Sequence, residues 1–166
     1  MRASKLGRYS WTMFDWANQP FYTLIMTFVF SVYFTDVFIV GEDGAQKLTL
    51  TQTISGLAIA LLSPVLGSIT DIKGNRKLLM SVTSILFVLG MALLWYSPPG
   101  APDGIWLVMF GLILASAMVG FSEVFNNSVL ATIETPENSG WLSGMGYGVG
   151  YIAGLIALIL FLIIFV

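Results

Sequence analysis

The sequence predicts an all-α fold, a polytopic membrane bundle, on three observations. Hydrophobic residues make up 57% of the 166 positions and charged residues only 10%, with a mean hydropathy of +0.87. Soluble domains hold roughly 45–50% apolar residues. Five apolar stretches are each long enough to cross a bilayer core of about 30 Å, which takes about 20 helical residues. The gaps between them are short and carry turn residues.

The spans fall at about 10–40, 49–70, 78–96, 104–133 and 140–166. The first follows Met-Arg-Ala-Ser-Lys-Leu-Gly-Arg, which resembles the basic start of a signal peptide. The stretch after it is too long, and no small-residue cleavage site closes it, so it reads as a retained helix. Gly41-Glu-Asp-Gly44 separates it from the second span, whose Pro64 removes a backbone hydrogen bond and predicts a kink. Lys73-Gly74-Asn75 leads to the third span, and Ser97-Pro-Pro-Gly-Ala-Pro-Asp-Gly104 to the fourth. Before the fifth, Thr135-Pro136-Glu137 reads as an N-cap, a first-turn proline and an acid at the positive helix end. That helix is expected to begin near Pro136, ahead of the membrane.

Composition also excludes classes of function. A formal charge of -2 offers nothing to a nucleic acid. With no Cys and no His, disulfides, thiol nucleophiles, histidine metal sites and His-dependent triads are absent, and no cofactor or metal is expected. If the N-terminus is cytoplasmic, Arg2, Lys5, Arg8, Lys73, Arg76 and Lys77 lie inside and only Lys47 outside. Six of seven basic residues then obey the positive-inside bias. Glu134 and Glu137 also fall inside, but acids count little in that rule. The expected location is an integral, multi-pass one: the inner membrane in a bacterium, the vacuolar membrane in a fungus.

The turn Gly67-Ser-Ile-Thr-Asp71-Ile-Lys73-Gly74-Asn-Arg76-Lys77 holds a carboxylate where the helix dipole is already negative, so Asp71 needs a partner. Arg76, Lys77 or a neighbouring helix N-terminus could supply it. Gly67 lets another helix approach closely, and Gly74 permits a left-handed reversal.

The spacing G-x-x-x-D-x-x-G-x-R-K resembles the signature between helices 2 and 3 of the major facilitator superfamily. Ile72 and Asn75 stand where that family usually has Arg or another basic residue. The resemblance implies a conformational latch made of Gly67, Asp71, Gly74, Arg76 and Lys77, gripping the partner half-bundle at the cytoplasmic face. Trp11-Thr-Met-Phe-Asp15-Trp16-Ala17-Asn18, Phe125-Asn-Asn-Ser-Val-Leu130 and Ser143-Gly144-Met-Gly146-Tyr-Gly148-Val-Gly150-Tyr151 resemble its vacuole-effluxer-like, autophagy-related branch. Eukaryotic members of that branch are associated with amino-acid release from the vacuole. The implied function is secondary transport of a small polar solute by alternating access, with protons as a candidate coupling ion. Five spans match a six-helix N-terminal half that lacks its last helix. The expectation is an N-terminal fragment, residues 1–166, inactive without the missing C-terminal half.

In the fifth span Gly140, Gly144 and Gly148 recur every four residues, as do Gly146, Gly150 and Gly154, giving two stripes for backbone-close helix packing. Tyr147 and Tyr151, one turn apart, face a cavity or a lipid interface. Asp15, Asn18 and Tyr22 share one face of the first helix, and Gly120, Glu123 and Asn127 share one face of the fourth. Acids in a span are costly and usually face water or a partner. At 1.5 Å per residue, Asp15 lies about 9 Å from its helix start and Glu123 about 15 Å from its helix end, depths compatible with one cavity. The family fold sets these two helices around the central pathway. The resemblance thus implies Glu123 as a protonatable coupling residue and Asn127, Asp15, Asn18 and Tyr22 as solute contacts. Two alternatives stay open: Asp15 interfacial and paired with Arg8, and Glu123 a buried acid kept neutral by Asn127. An intramembrane serine protease is disfavoured, because Trp141-Leu-Ser-Gly144 lacks the glycine two residues before the serine. A non-transporting assembly subunit is the remaining class.

Overall fold

A computed structural model describes residues 4–40, 42–100 and 102–165, with the side chains of 71–73 and 102 left undescribed. Among the described residues the fold is all-α. Five helical stretches are long and apolar enough to cross a membrane: Lys5–Phe38, Glu42–Thr70, Arg76–Tyr96, Ile105–Ile133 and Pro136–Phe165. Large apolar side chains such as Leu61, Ile85, Val88, Ile163 and Phe165 are exposed along them, a surface suited to lipid rather than water.

The first stretch is longer and less regular than its sequence suggests. It begins at Lys5 rather than near residue 10, as α1 (Lys5–Pro20), because Ser4 caps it by accepting from the Gly7 amide at 3.1 Å. After Pro20, which has no N–H to give, the chain widens into a π-helix over Phe21–Phe28. A short α2 (Phe30–Tyr33) and a second π-helical segment, Phe34–Phe38, follow. The wide turns are visible in five-residue bonds, Val29 N–H to Leu24 O and Ile39 N–H to Phe34 O, both at 3.0 Å. Thr27 Oγ1 also donates to the Tyr22 carbonyl at 2.8 Å, side-chain competition that disfavours α pitch.

The second helix, α3 (Glu42–Lys73), also starts earlier than expected, and the Glu42-Asp-Gly44 stretch read as a turn is its first turn. Glu42 and Asp43 lie at the positive helix end, and Asp43 meets Lys47 at 3.6 Å. The helix runs through Pro64. Its end follows local chemistry: Gly74 takes φ 66, and its N–H caps the Thr70 carbonyl at 3.0 Å. Then α4 (Arg76–Leu93) and a 3₁₀ turn, Leu94–Tyr96, lead to α5 (Ile105–Ile133) and α6 (Pro136–Phe165). The last helix starts at Pro136, as its capping residues predict.

The chain forms two compact units, one of residues 1–31 with 126–166, the other of residues 32–125. In the second unit, α4 and α5 meet backbone to backbone. A Cβ on Gly90 would lie 2.8 Å from the Gly111 carbonyl oxygen, and one on Gly111 would lie 2.7 Å from the Gly90 oxygen. Buried Thr83 and Ser122 hydrogen-bond at 2.6 Å across the same pair of helices. Ala117, Phe121 and Phe125 on α5 form a buried cluster against Ile59, Leu66, Leu79 and Met80. Gly120 seats Ile59, whose Cδ1 would be 2.6 Å from an added Cβ.

Candidate functional site

In the first unit α1 lies along α6, and glycine is what lets it do so. A side chain at Gly146 would strike the Asp15 carboxylate and come within 3.3 Å of the Trp11 ring. One at Gly150 would lie 3.3 Å from both the Cβ and the carbonyl oxygen of Asp15, and one at Gly154 would strike the Thr23 hydroxyl and sit 3.0 Å from Gln19 Cγ. The Gly146, Gly150, Gly154 stripe is therefore a seat for α1. The other stripe is not: Gly140, Gly144 and Gly148 have nothing within 4 Å among the described residues. The two-stripe packing expected from spacing thus reduces to one stripe within this unit, since α1 can occupy only one face of α6.

Asp15 and Asn18 are half-buried on α1, and Asn18 Nδ2 is buried without a hydrogen-bond partner among the described residues. Because α1 begins at Lys5, Asp15 lies about 15 Å along the helix instead of the 9 Å expected for a start at residue 10. Tyr22 falls in the π-helical segment, where Gln19, Tyr22, Thr23 and Thr27 line a groove against Tyr151, Leu155 and Leu158 of α6. The groove is open and holds about 440 Å³. It carries hydroxyls, an amide and aromatic faces but no charge, and Asp15 lies one turn before Gln19. Gln19, Thr23 and Thr27 were not singled out from sequence, although their i, i+4, i+8 spacing is a legible stripe. Tyr147 and Tyr151 are both exposed, their rings 6.5 Å apart.

Arg8 does not pair with Asp15. Its Nη1 donates to Glu134 Oε2 at 2.9 Å, and that carboxylate is almost wholly enclosed, its side chain 1% exposed. Glu134 Oε1 accepts the Thr135 amide at 3.1 Å. Trp11 Nε1 donates to the buried Asn126 carbonyl at 2.8 Å. Glu134, just past the end of α5, is thus the counter-ion of a basic residue 126 positions earlier. Asn127 is exposed and lines a separate recess with Leu130, Glu134, Pro136 and Ser139, so it does not join Asn18 and Tyr22. Glu123 is half-buried and belongs to the second unit.

Of the latch residues, Gly74 makes the left-handed turn, Arg76 is half-buried at the start of α4 and Lys77 is exposed. Among the described residues, a Cβ on Gly67 would meet nothing nearer than Val124 at 3.9 Å, an ordinary contact. The Asp71 side chain, and with it an Asp71–Arg76 pairing, lies outside the described residues.

No family profile and no solved structure matches the chain. It is similar to the uncharacterized MFS-type transporter YxiO of Bacillus subtilis (strain 168), being 29% identical over 144 residues, 83% of this chain and 32% of that protein. The chain spans about a third of the length of that relative. The similarity supports a place among the MFS-type transporters, in keeping with five apolar helices that make an integral, multi-pass membrane protein.

Proposed function

We propose that the chain is an incomplete N-terminal half-bundle of a major facilitator transporter, of the vacuole-effluxer-like branch, that moves a small polar solute. An amino acid is the solute class that best fits. The observation that carries this reading is the polar face of α1. Asp15 offers a carboxylate to an ammonium, Asn18 holds a buried amide donor with no partner among the described residues, and the adjoining groove adds Gln19, Tyr22, Thr23 and Thr27. Polar groups at this depth in a membrane helix are costly and are retained for a solute path more readily than for packing. Glu123, half-buried on α5, is assigned the coupling proton. The basic residues at the start of α1 and around Gly74 support a cytoplasmic N-terminus, where the 67–77 turn would serve as the latch. Transport itself belongs to the whole transporter, because alternating access rocks one half against the other.

The test is Glu123→Gln in the full-length transporter, reconstituted in proteoliposomes. Proton-driven uptake should vanish while solute exchange persists. Unchanged rate and pH dependence would remove Glu123 from the mechanism and leave it a structural acid.

A further inference from the structure

Where the first turns of α1 and α6 meet, Lys5, Arg8, Tyr9, Trp141, Leu142 and Met145 line an open recess of about 80 Å³. Its chemistry is divided. Leu142 is fully buried and makes an apolar floor with Met145, whereas Tyr9 and Trp141 stand exposed at the rim. Lys5 is exposed at the mouth, and Arg8 reaches in from the same helix one turn on. Arg8 spends Nη1 on Glu134, so the Glu134 carboxylate cancels one cation and, among the described residues, the recess keeps one net positive charge, that of Lys5. Arg8 Nε is a buried donor with no hydrogen-bond partner among the described residues. A partly exposed guanidinium beside the exposed Lys5 ammonium suits an anion.

Three facts narrow the anion. The recess sits at the end of two membrane-spanning helices, where headgroups lie. Tyr and Trp at a rim are the residues that settle at headgroup depth. An apolar floor next to two cationic side chains suits a ligand with a single phosphate on an acyl-bearing body, and basic recesses between membrane helices take such headgroups. We propose that this recess binds one anionic phospholipid, its phosphodiester held by Lys5 and the Arg8 guanidinium and its glycerol and upper acyl carbons against Leu142, Met145 and the Trp141 ring. The site is separate from the α1 groove and does not depend on what the protein transports.

The test is native mass spectrometry of the purified chain released from nanodiscs of phosphatidylglycerol, phosphatidylcholine or an equal mixture. One phosphatidylglycerol should be retained in preference to phosphatidylcholine, and Lys5→Gln should cut that retention about fivefold, the weight of one basic residue at a membrane surface. Trp141→Leu, which leaves every charge in place, should weaken retention of both lipids. Arg8 is left intact because its loss would also strand Glu134. Equal retention of the two lipids, or phosphatidylglycerol retention unmoved by Lys5→Gln, overturns the site. If inorganic phosphate displaces the lipid at concentrations matched to it, the recess is an anion site and the lipid assignment is overturned.

Discussion

Helix α6 carries two rows of glycine with the same residue, the same spacing and the same stretch of sequence, and the two do different things. Gly146, Gly150 and Gly154 lie under the side chains and backbone of α1, whereas Gly140, Gly144 and Gly148 meet nothing within 4 Å among the described residues. Spacing of small residues marks a face that could be approached. Only the identity of the approaching side chains decides whether it is. Asp15, Gln19 and Thr23, each one turn from the next, occupy the first row, so packing and polar chemistry share one surface of α1. A substitution on that row will disturb both.

The packed row is closed at one end by Arg8 and Glu134, and removing that closure should have the largest effect. Arg8→Gln takes the guanidinium away from the enclosed Glu134 carboxylate, and breaking such a pair costs about 3 kcal/mol. Thermal unfolding of the purified protein should show the loss, and adding Glu134→Gln should restore most of it. A double variant no better than Arg8→Gln would mean that the guanidinium contributes packing rather than charge. Next in size is Gly150→Leu. Its nearest obstacle is the Asp15 backbone, which cannot rotate away, so overpacking should cost about 1–3 kcal/mol. Unfolding at the wild-type temperature would show that α1 does not rest on this row. The smallest change is expected for Gly148→Ala on the open row, with no loss and a gain of at most about 1 kcal/mol from helix propensity. A loss as large as that at Gly150 would show that the open row is covered by something other than α1.

The same contrast explains what sequence could and could not convey. Features set within a few residues were legible. The five apolar stretches needed only hydropathy, Pro136 announced the start of α6 by its own chemistry, and Gly74 marked a reversal that only a residue without a side chain makes comfortably. Features set by partners far along the chain were not. Nothing near Glu134 points to Arg8, and nothing near Gly150 tells it from Gly148. The π-helical turns of Phe21–Phe28 and Phe34–Phe38 also escaped, because hydropathy is blind to whether a carbonyl is met four residues on or five. The candidate site shows the same division. Asp15, Asn18 and Tyr22 stood out by periodicity, yet the groove beside them is built with Tyr151 and Leu155 of α6, more than a hundred residues later.

That separation has a consequence for how the protein is made. A ribosome working at about 5–20 residues per second takes roughly 6–25 seconds to travel from Arg8 to Glu134, and the glycine seat for α1 emerges after that. Throughout this interval the first span is in the membrane without its companion helix. Its Asp15 and Asn18 face lipid, water or the insertion machinery, and its arginine waits for a carboxylate not yet synthesised. A helix made well before its companion is thus among the last to find its place, and the newborn chain passes through a stage in which the polar face of α1 is uncovered.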